Sequence, residues 1–133
     1  MQRIEHLGIA VVDIDQAIKQ YSLLLNTICY KRELVKSQQV ETAFFKLENH
    51  KIELLASTHK DGPITKFIQR KGEGIHHVAF LVNDIHEESE RMIKDGFTSL
   101  QDKPYLGADN KIVAFFHPKD THGALIEICQ EIL

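Results

Sequence analysis

The chain has 133 residues, of which 43% are hydrophobic and 26% charged, and its formal net charge is -3. This composition is ordinary for a soluble globular protein, and the absence of a basic tail or stripe argues against a nucleic-acid or membrane-surface partner. No apolar run approaches the roughly 18 residues of a membrane span. The first residues carry no signal-peptide pattern, and two cysteines without a CxxC spacing predict reduced thiols, so we expect a cytoplasmic protein.

The first half predicts a strand, a helix and three further strands. "RIEHLGIAVV" (3–12) alternates as a strand, and Asp13 then caps a helix. The apolar positions of that helix follow helical spacing and are Ile14, Ala17, Ile18, Tyr21 and Leu24. The next strands are predicted at "ICYKRELV" (28–35), "QQVETAFFKLE" (38–48) and "KIELLAS" (51–57).

The second half predicts the same order of elements. Pro63 marks the start of a linking helix over 63–71, and "GIHHVAFLV" (74–82) alternates as a strand. Asp84 caps a helix that Gly96 closes. Strands are predicted at "FTSLQ" (97–101), "KIVAFFHP" (111–118) and "ALIEICQ" (124–130). We therefore predict one domain over 1–133, in which two βαβββ modules, about 1–60 and 74–133, flank the helix.

Histidine and glutamate recur at matching places in the two halves. His6 aligns with His77, and Glu53 of "IEL" aligns with Glu127 of "IEI". Each glutamate stands between aliphatic residues in a strand, so its carboxylate points away from the face that packs under the helices. Small residues, Gly8 and Ala79, follow the two histidines on the same face.

These four side chains have two possible interpretations, separate structural roles or a shared metal site. A single strand histidine is usually structural, and a single strand glutamate usually lies on an exposed face. Their matched positions in a repeat favour one shared cavity. Two imidazoles and two carboxylates suit a divalent ion such as Zn, Co, Ni or Mn, without selecting among them.

The paired modules resemble the vicinal oxygen chelate superfamily, which includes glyoxalase I, and are most similar to its methylmalonyl-CoA epimerase family. The resemblance covers almost the whole chain and is carried by "IEHLGIAVVDIDQAIKQY" (4–21), "KIELLAS" (51–57), "GPITKFIQRKGEGIHHVAFLVNDI" (62–85) and "FFHPKDTHGALIEI" (115–128). It implies an α+β fold in which the two modules form a curved mixed sheet around a metal cavity. It also implies a homodimer and one divalent ion per site, held by His6, Glu53, His77 and Glu127.

The same resemblance implies an isomerase that epimerises methylmalonyl-CoA by removing the proton next to the thioester. Glu127 and Glu53 would be the acid/base residues, with Glu127 the stronger candidate. Some family members carry a further carboxylate where this chain has Thr42, and Glu41 would point to the opposite face, so that role is not transferred. The alternatives are a glyoxalase I-type lactoylglutathione lyase and a binding or resistance protein of the same fold.

An acyl-CoA thioester substrate also carries phosphate groups. Lys66, Arg70 and Lys71, together with Lys60, lie near the start of the linking helix or along it and are candidate phosphate contacts. A charge run on a short helix is more often a solvated face, and that interpretation is preferred here.

Overall fold

The computed structural model describes residues 1–132 and has an α+β architecture. The helices are α1 (Ile14–Leu25), α2 (Pro63–Lys71) and α3 (Ile85–Lys94). The strands are β1 (Arg3–Ala10), β2 (Lys31–Val35), β3 (Val40–Leu47), β4 (His50–Ser57), β5 (Gly74–Leu81), β6 (Tyr105–Leu106), β7 (Lys111–Phe116) and β8 (Ile126–Glu131). The order of elements confirms the tandem βαβββ pattern with α2 between the modules.

The helices begin where the sequence predicts, and α2 and α3 also end there. The Asp13 carboxylate accepts the backbone N–H of Gln16 at the start of α1, and Asp84 accepts those of His86 and Glu87 at the start of α3. Pro63 occupies the first turn of α2. Gly96 follows α3 with a φ of +100°, a left-handed conformation that glycine adopts without steric cost.

By its contacts the chain divides into two compact units, and residues 7–76 form one of them. Its strands are ordered β2-β3-β4-β1, where β1 contributes its second half. Leu54 and Ile52 pack with Ile14 and Ala17 of α1, as the alternation predicted. One position on α1 differs from the prediction. Leu24 is 72% exposed, and Leu25, four residues after Tyr21, packs against this core instead.

Residues 1–6 and 77–133 form the other unit. Its strands are ordered β1-β5-β8-β7-β6, with β5 and β8 parallel and β7 antiparallel to both β8 and β6. Ile126 and Ile128 lie in a core that includes Ile85 and Met92 of α3, so this face of β8 is the helix face. Cys129 packs on the opposite face with a smaller apolar cluster, made of Ala79, Leu81 and Val113. Organisation as one domain over 1–133 stays a prediction.

The prediction of a strand at "FTSLQ" (97–101) is wrong. That segment contributes only an isolated bridge from Ser99 to Phe116, and the short strand of this region is β6, at Tyr105–Leu106. Local side-chain bonds explain the difference. The Gln101 side chain bonds both the N–H and the carbonyl of Phe115, which takes the place of strand pairing beyond Leu100.

Within residues 1–132 no helix combines the length and the apolar character needed to cross a bilayer. Cys29 and Cys129 are both free thiols, as their spacing predicted.

Candidate metal centre

Three of the four predicted ligands meet in the unit formed by residues 1–6 and 77–133. His6 lies on β1, His77 on β5 and Glu127 on β8, and their exposed fractions are 5%, 3% and 4%. The backbone N–H of Gln2 donates to the carbonyl of Leu81 at 2.8 Å, which ties the start of β1 to the end of β5. The parallel pairing of β5 with β8 places Ala79, two residues after His77, opposite Glu127.

The donor atoms of these three side chains converge. The Nε2 atoms of His6 and His77 are 3.1 Å apart, and Oε1 of Glu127 lies 3.2 Å from His77 Nε2 and 3.6 Å from His6 Nε2. Two ligands about 2.1 Å from one ion, at tetrahedral or octahedral angles, are separated by about 3.0–3.4 Å. Two of the three separations lie in this range and the third is slightly longer, so the trio could hold a single divalent ion. Its imidazole and carboxylate donors suit Zn, Co, Ni or Mn.

The electrostatic surroundings of Glu127 favour its role as a metal ligand. Burial by itself raises the pKa of this carboxyl group, but the neighbouring His6 and His77 imidazoles hold the pKa well below its ordinary value. Burial and the negative charge of Glu127 together raise the pKa of the Tyr105 hydroxyl on β6. Glu127 is thus an ionised carboxylate in a water-poor setting, which is the form that binds a cation.

The surroundings of the trio are mostly apolar. The ring of Phe115, opposite Glu127 in the pairing of β7 with β8, meets the His77 ring edge to face with centroids 5.7 Å apart. Cys129 lies two residues after Glu127 on the same face, and burial and the charge of Glu127 raise its pKa to about 12. The thiol therefore stays protonated and acts as part of the apolar wall.

Glu5 is a residue that the sequence analysis missed. Its carboxylate is buried, and Oε1 lies 3.2 Å from Nδ1 of His6. Side chains of consecutive strand residues point to opposite faces, so the alternation gave no reason to pair Glu5 with His6. The signal available was a carboxylate directly before a candidate ligand histidine, in a strand that is apolar from Leu7 to Ala10.

Glu53, the fourth predicted ligand, lies on β4 in the other compact unit and is buried. Its neighbours Ile52 and Leu54 belong to the core beneath α1, so its side chain leaves the sheet on the face away from that helix, as predicted. Its participation in the ion site stays a prediction.

Strand β3, the third strand of the first module, carries no extra carboxylate on the face away from α1. Thr42 is fully buried, and its hydroxyl donates to the carbonyl of Glu33 at 3.4 Å. The adjacent Glu41 accepts hydrogen bonds from the Arg32 guanidinium, which also donates to Asp15 of α1. Glu41 is therefore engaged on the side of α1 and points to the face opposite Thr42, as predicted.

The candidate phosphate contacts on α2, Lys66, Arg70 and Lys71, are all exposed. Lys60 lines a cavity of about 420 Å³ together with Ser57, Thr58 and Thr65. Exposure agrees with a solvated face, and contact with a substrate phosphate stays a prediction.

Comparison with known proteins identifies relatives over nearly the whole chain. A profile of the Glyoxalase/Bleomycin resistance protein/Dioxygenase superfamily matches residues 5–115. The protein YqjC of Bacillus subtilis is 37% identical over 98% of this chain and 93% of its own. The ethylmalonyl-CoA/methylmalonyl-CoA epimerase of Cereibacter sphaeroides is 35% identical over 96% of this chain and 97% of its own.

A solved structure has the same fold. A variant of the Streptomyces coelicolor methylmalonyl-CoA epimerase, in complex with 2-nitronate-propionyl-CoA, superposes with a TM-score of 0.95 at 30% identity, over 98% of this chain and 95% of that one. The chain therefore belongs to the glyoxalase/bleomycin resistance protein/dioxygenase superfamily and, within it, to the family of the methylmalonyl-CoA epimerases, which makes it an isomerase.

Proposed function

We propose that this protein interconverts the 2R and 2S forms of methylmalonyl-CoA, with the help of one divalent ion. The observation that carries the proposal is the convergence of His6, His77 and Glu127, with donor atoms 3.1–3.6 Å apart in a buried setting. Relatives named as epimerases of methylmalonyl-CoA support the choice of substrate.

The reaction removes a weakly acidic proton from the carbon between two carbonyl groups and returns a proton on the opposite face. An ion held by His6, His77, Glu127 and, as a proposed fourth ligand, Glu53 would supply a Lewis acid for the negative charge that develops on the thioester oxygen. The apolar wall of Ala79, Phe115 and Cys129 limits water around that charge, which strengthens every electrostatic contact there.

Proton transfer is assigned to the two glutamates. Glu127 takes the proton from the carbon on one side, and Glu53 serves the other face, because the repeat supplies one buried carboxylate from each half. A carboxylate that holds a cation is a weak base, so Glu127 would act on the substrate proton only when it is released from the ion. Its apolar surroundings would then raise its proton affinity.

The wider proposal follows the family resemblance. It comprises an acyl-CoA thioester as substrate, a homodimer, a cytoplasmic location, and an ion drawn from Co, Zn, Mn and Ni. Light scattering behind size-exclusion chromatography tests the dimer, and metal analysis of protein purified without added metal tests the ion.

Deuterium exchange tests the reaction. The metal-loaded protein is incubated with methylmalonyl-CoA in deuterated water, and exchange at carbon 2 is followed by NMR, with a glutathione hemithioacetal as substrate in parallel. We expect exchange with the thioester and no isomerisation of the hemithioacetal. The opposite pattern would transfer the assignment to the lyase chemistry of glyoxalase I.

The variant Glu127→Gln separates binding from proton transfer. We expect it to keep much of the ion and to exchange about 10²–10⁴-fold more slowly, the range of a lost general base. Glu131→Gln is the matched control, because Glu131 lies on the same strand but is exposed. Full activity of Glu127→Gln would remove Glu127 from the catalytic role.

A further inference from the structure

We propose that Glu5 is a positioning residue that fixes the tautomer of His6 and thereby sets the affinity of the site for its ion. This role rests on the metal centre proposed above but concerns a residue outside its ligand set. Glu5 lies next to His6 on β1, in the same compact unit as His77 and Glu127.

The burial of Glu5 calls for a physical explanation. Its exposed fraction is 1%, and an ionised carboxylate is costly to bury unless positive or polar groups compensate. Oε1 lies 3.2 Å from Nδ1 of His6, while Oε2 lies 3.9 Å from the guanidinium of Arg3. The His6 ring is thus the close polar partner of one carboxylate oxygen, with the Arg3 charge on the other side.

This contact selects one form of the imidazole. An ionised carboxylate only accepts hydrogen bonds, so Nδ1 of His6 carries the proton and donates to Glu5. When the ring is neutral, as metal binding requires, its lone pair then resides on Nε2, the atom that faces Nε2 of His77 and Oε1 of Glu127. A carboxylate behind a ligand histidine in this way also makes the coordinating nitrogen more basic.

The two halves of the chain differ at this point. In the repeat, Glu5 aligns with His76, which precedes the second ligand histidine. The His76 ring packs edge to face against Phe67, with centroids 4.8 Å apart, in the other compact unit. His77 thus has no carboxylate directly before it in the sequence. We expect Glu5 to contribute strongly to ion binding and His76 to contribute little.

The test compares Glu5→Gln and Glu5→Leu with the unchanged protein, all without substrate. Titration calorimetry with Zn²⁺ or Co²⁺ is expected to show affinity lowered about 10–100-fold, less for Gln, whose amide oxygen still accepts from Nδ1, than for Leu. In the metal-free protein, ¹⁵N NMR of the histidine rings is expected to show His6 protonated at Nδ1, and a mixture of tautomers in Glu5→Leu. The matched control is His76→Gln, which should leave both the affinity and the His6 spectrum unchanged.

Wild-type ion affinity and an unchanged His6 spectrum in Glu5→Gln and Glu5→Leu would overturn the role. Should Glu5→Leu fail to fold, Glu5→Gln, which keeps the size of the side chain, decides alone through its ion affinity. Both readouts are independent of turnover. If the unchanged protein proves to have no epimerase activity but the Glu5 variants bind the ion more weakly, the role of Glu5 stands. If the variants bind the ion with normal affinity, the role is excluded even if the protein is an active epimerase.

Discussion

Ala79 on β5 and Glu127 on β8 are direct neighbours in the parallel pairing of these strands. Ala79 has no exposed surface and lies on the same face as His77, so a single methyl group occupies the space beside the proposed ligands. We expect Ala79→Leu to cost about 1–3 kcal/mol of folding free energy through overpacking. It should also weaken ion binding, because the larger side chain displaces the Glu127 carboxylate.

The matched control is Ala114→Leu. Ala114 is equally buried but lies in the core beneath α3, on the opposite face. Urea unfolding should show a similar loss of stability in both variants, while titration with Zn²⁺ should show weaker binding in Ala79→Leu alone. Equal ion affinity in the two variants would mean that Ala79 does not border the site.

The two consecutive histidines of β5, His76 and His77, should contribute very differently to the affinity for a metal ion. We expect His77→Ala to lower ion affinity at least about 100-fold, more than the loss of a supporting residue, because a coordinating imidazole is removed. His76→Ala should leave the affinity unchanged, since that ring packs on Phe67. Competition with a chromophoric chelator measures both, and His6→Ala should behave like His77→Ala.

The two thiols should react at very different rates. Cys129 is fully buried with its pKa raised to about 12, so almost none of it is thiolate at pH 8. Cys29 is only partly buried. A disulfide reagent should therefore modify one thiol per native chain rapidly, and Cys29→Ser should abolish that phase. A fast phase that survives this substitution would contradict the burial of Cys129.

Asp120 should contribute to stability in a pH-dependent way. Hydrogen bonds from Thr98, including its backbone N–H at 2.9 Å, hold the pKa of Asp120 below its ordinary value of 3.8. A carboxyl group with a lower pKa in the folded state stabilises the fold above its unfolded pKa, and this contribution is lost as the pH falls through the folded value. The difference in unfolding free energy between wild type and Asp120→Asn should be constant above about pH 5 and shrink below pH 3.8. A difference that does not vary with pH would mean that Asp120 keeps its ordinary pKa.

Strong local signals made much of the fold and site predictable. Asp13 and Asp84 marked the starts of α1 and α3, and alternation assigned the faces of β4 and β8. The repeat then predicted His6, Glu53, His77 and Glu127 as one set, because matching positions in two halves indicate a shared site that no single strand can indicate. Of these four, His6, His77 and Glu127 do meet, and the part of Glu53 stays a prediction.

The predictions failed at positions where particular side-chain contacts, which propensity and alternation do not describe, decide the structure. Gln101 bonds to the backbone of Phe115 with its side chain, which strand propensity does not register. Leu24 satisfied the helical spacing, but the core beneath α1 takes Leu25 instead. Glu5 reaches His6 from the neighbouring position on the strand, a contact that strict alternation would forbid.

The first six residues belong to the same compact unit as residues 77–133, although seventy residues of chain separate them. A fragment that begins at residue 74 would therefore lack the edge partner that Gln2 provides to Leu81, and with it one imidazole of the trio. To isolate this half, a gene would have to encode residues 77–132 first and residues 1–6 after them, with a short linker between the two segments.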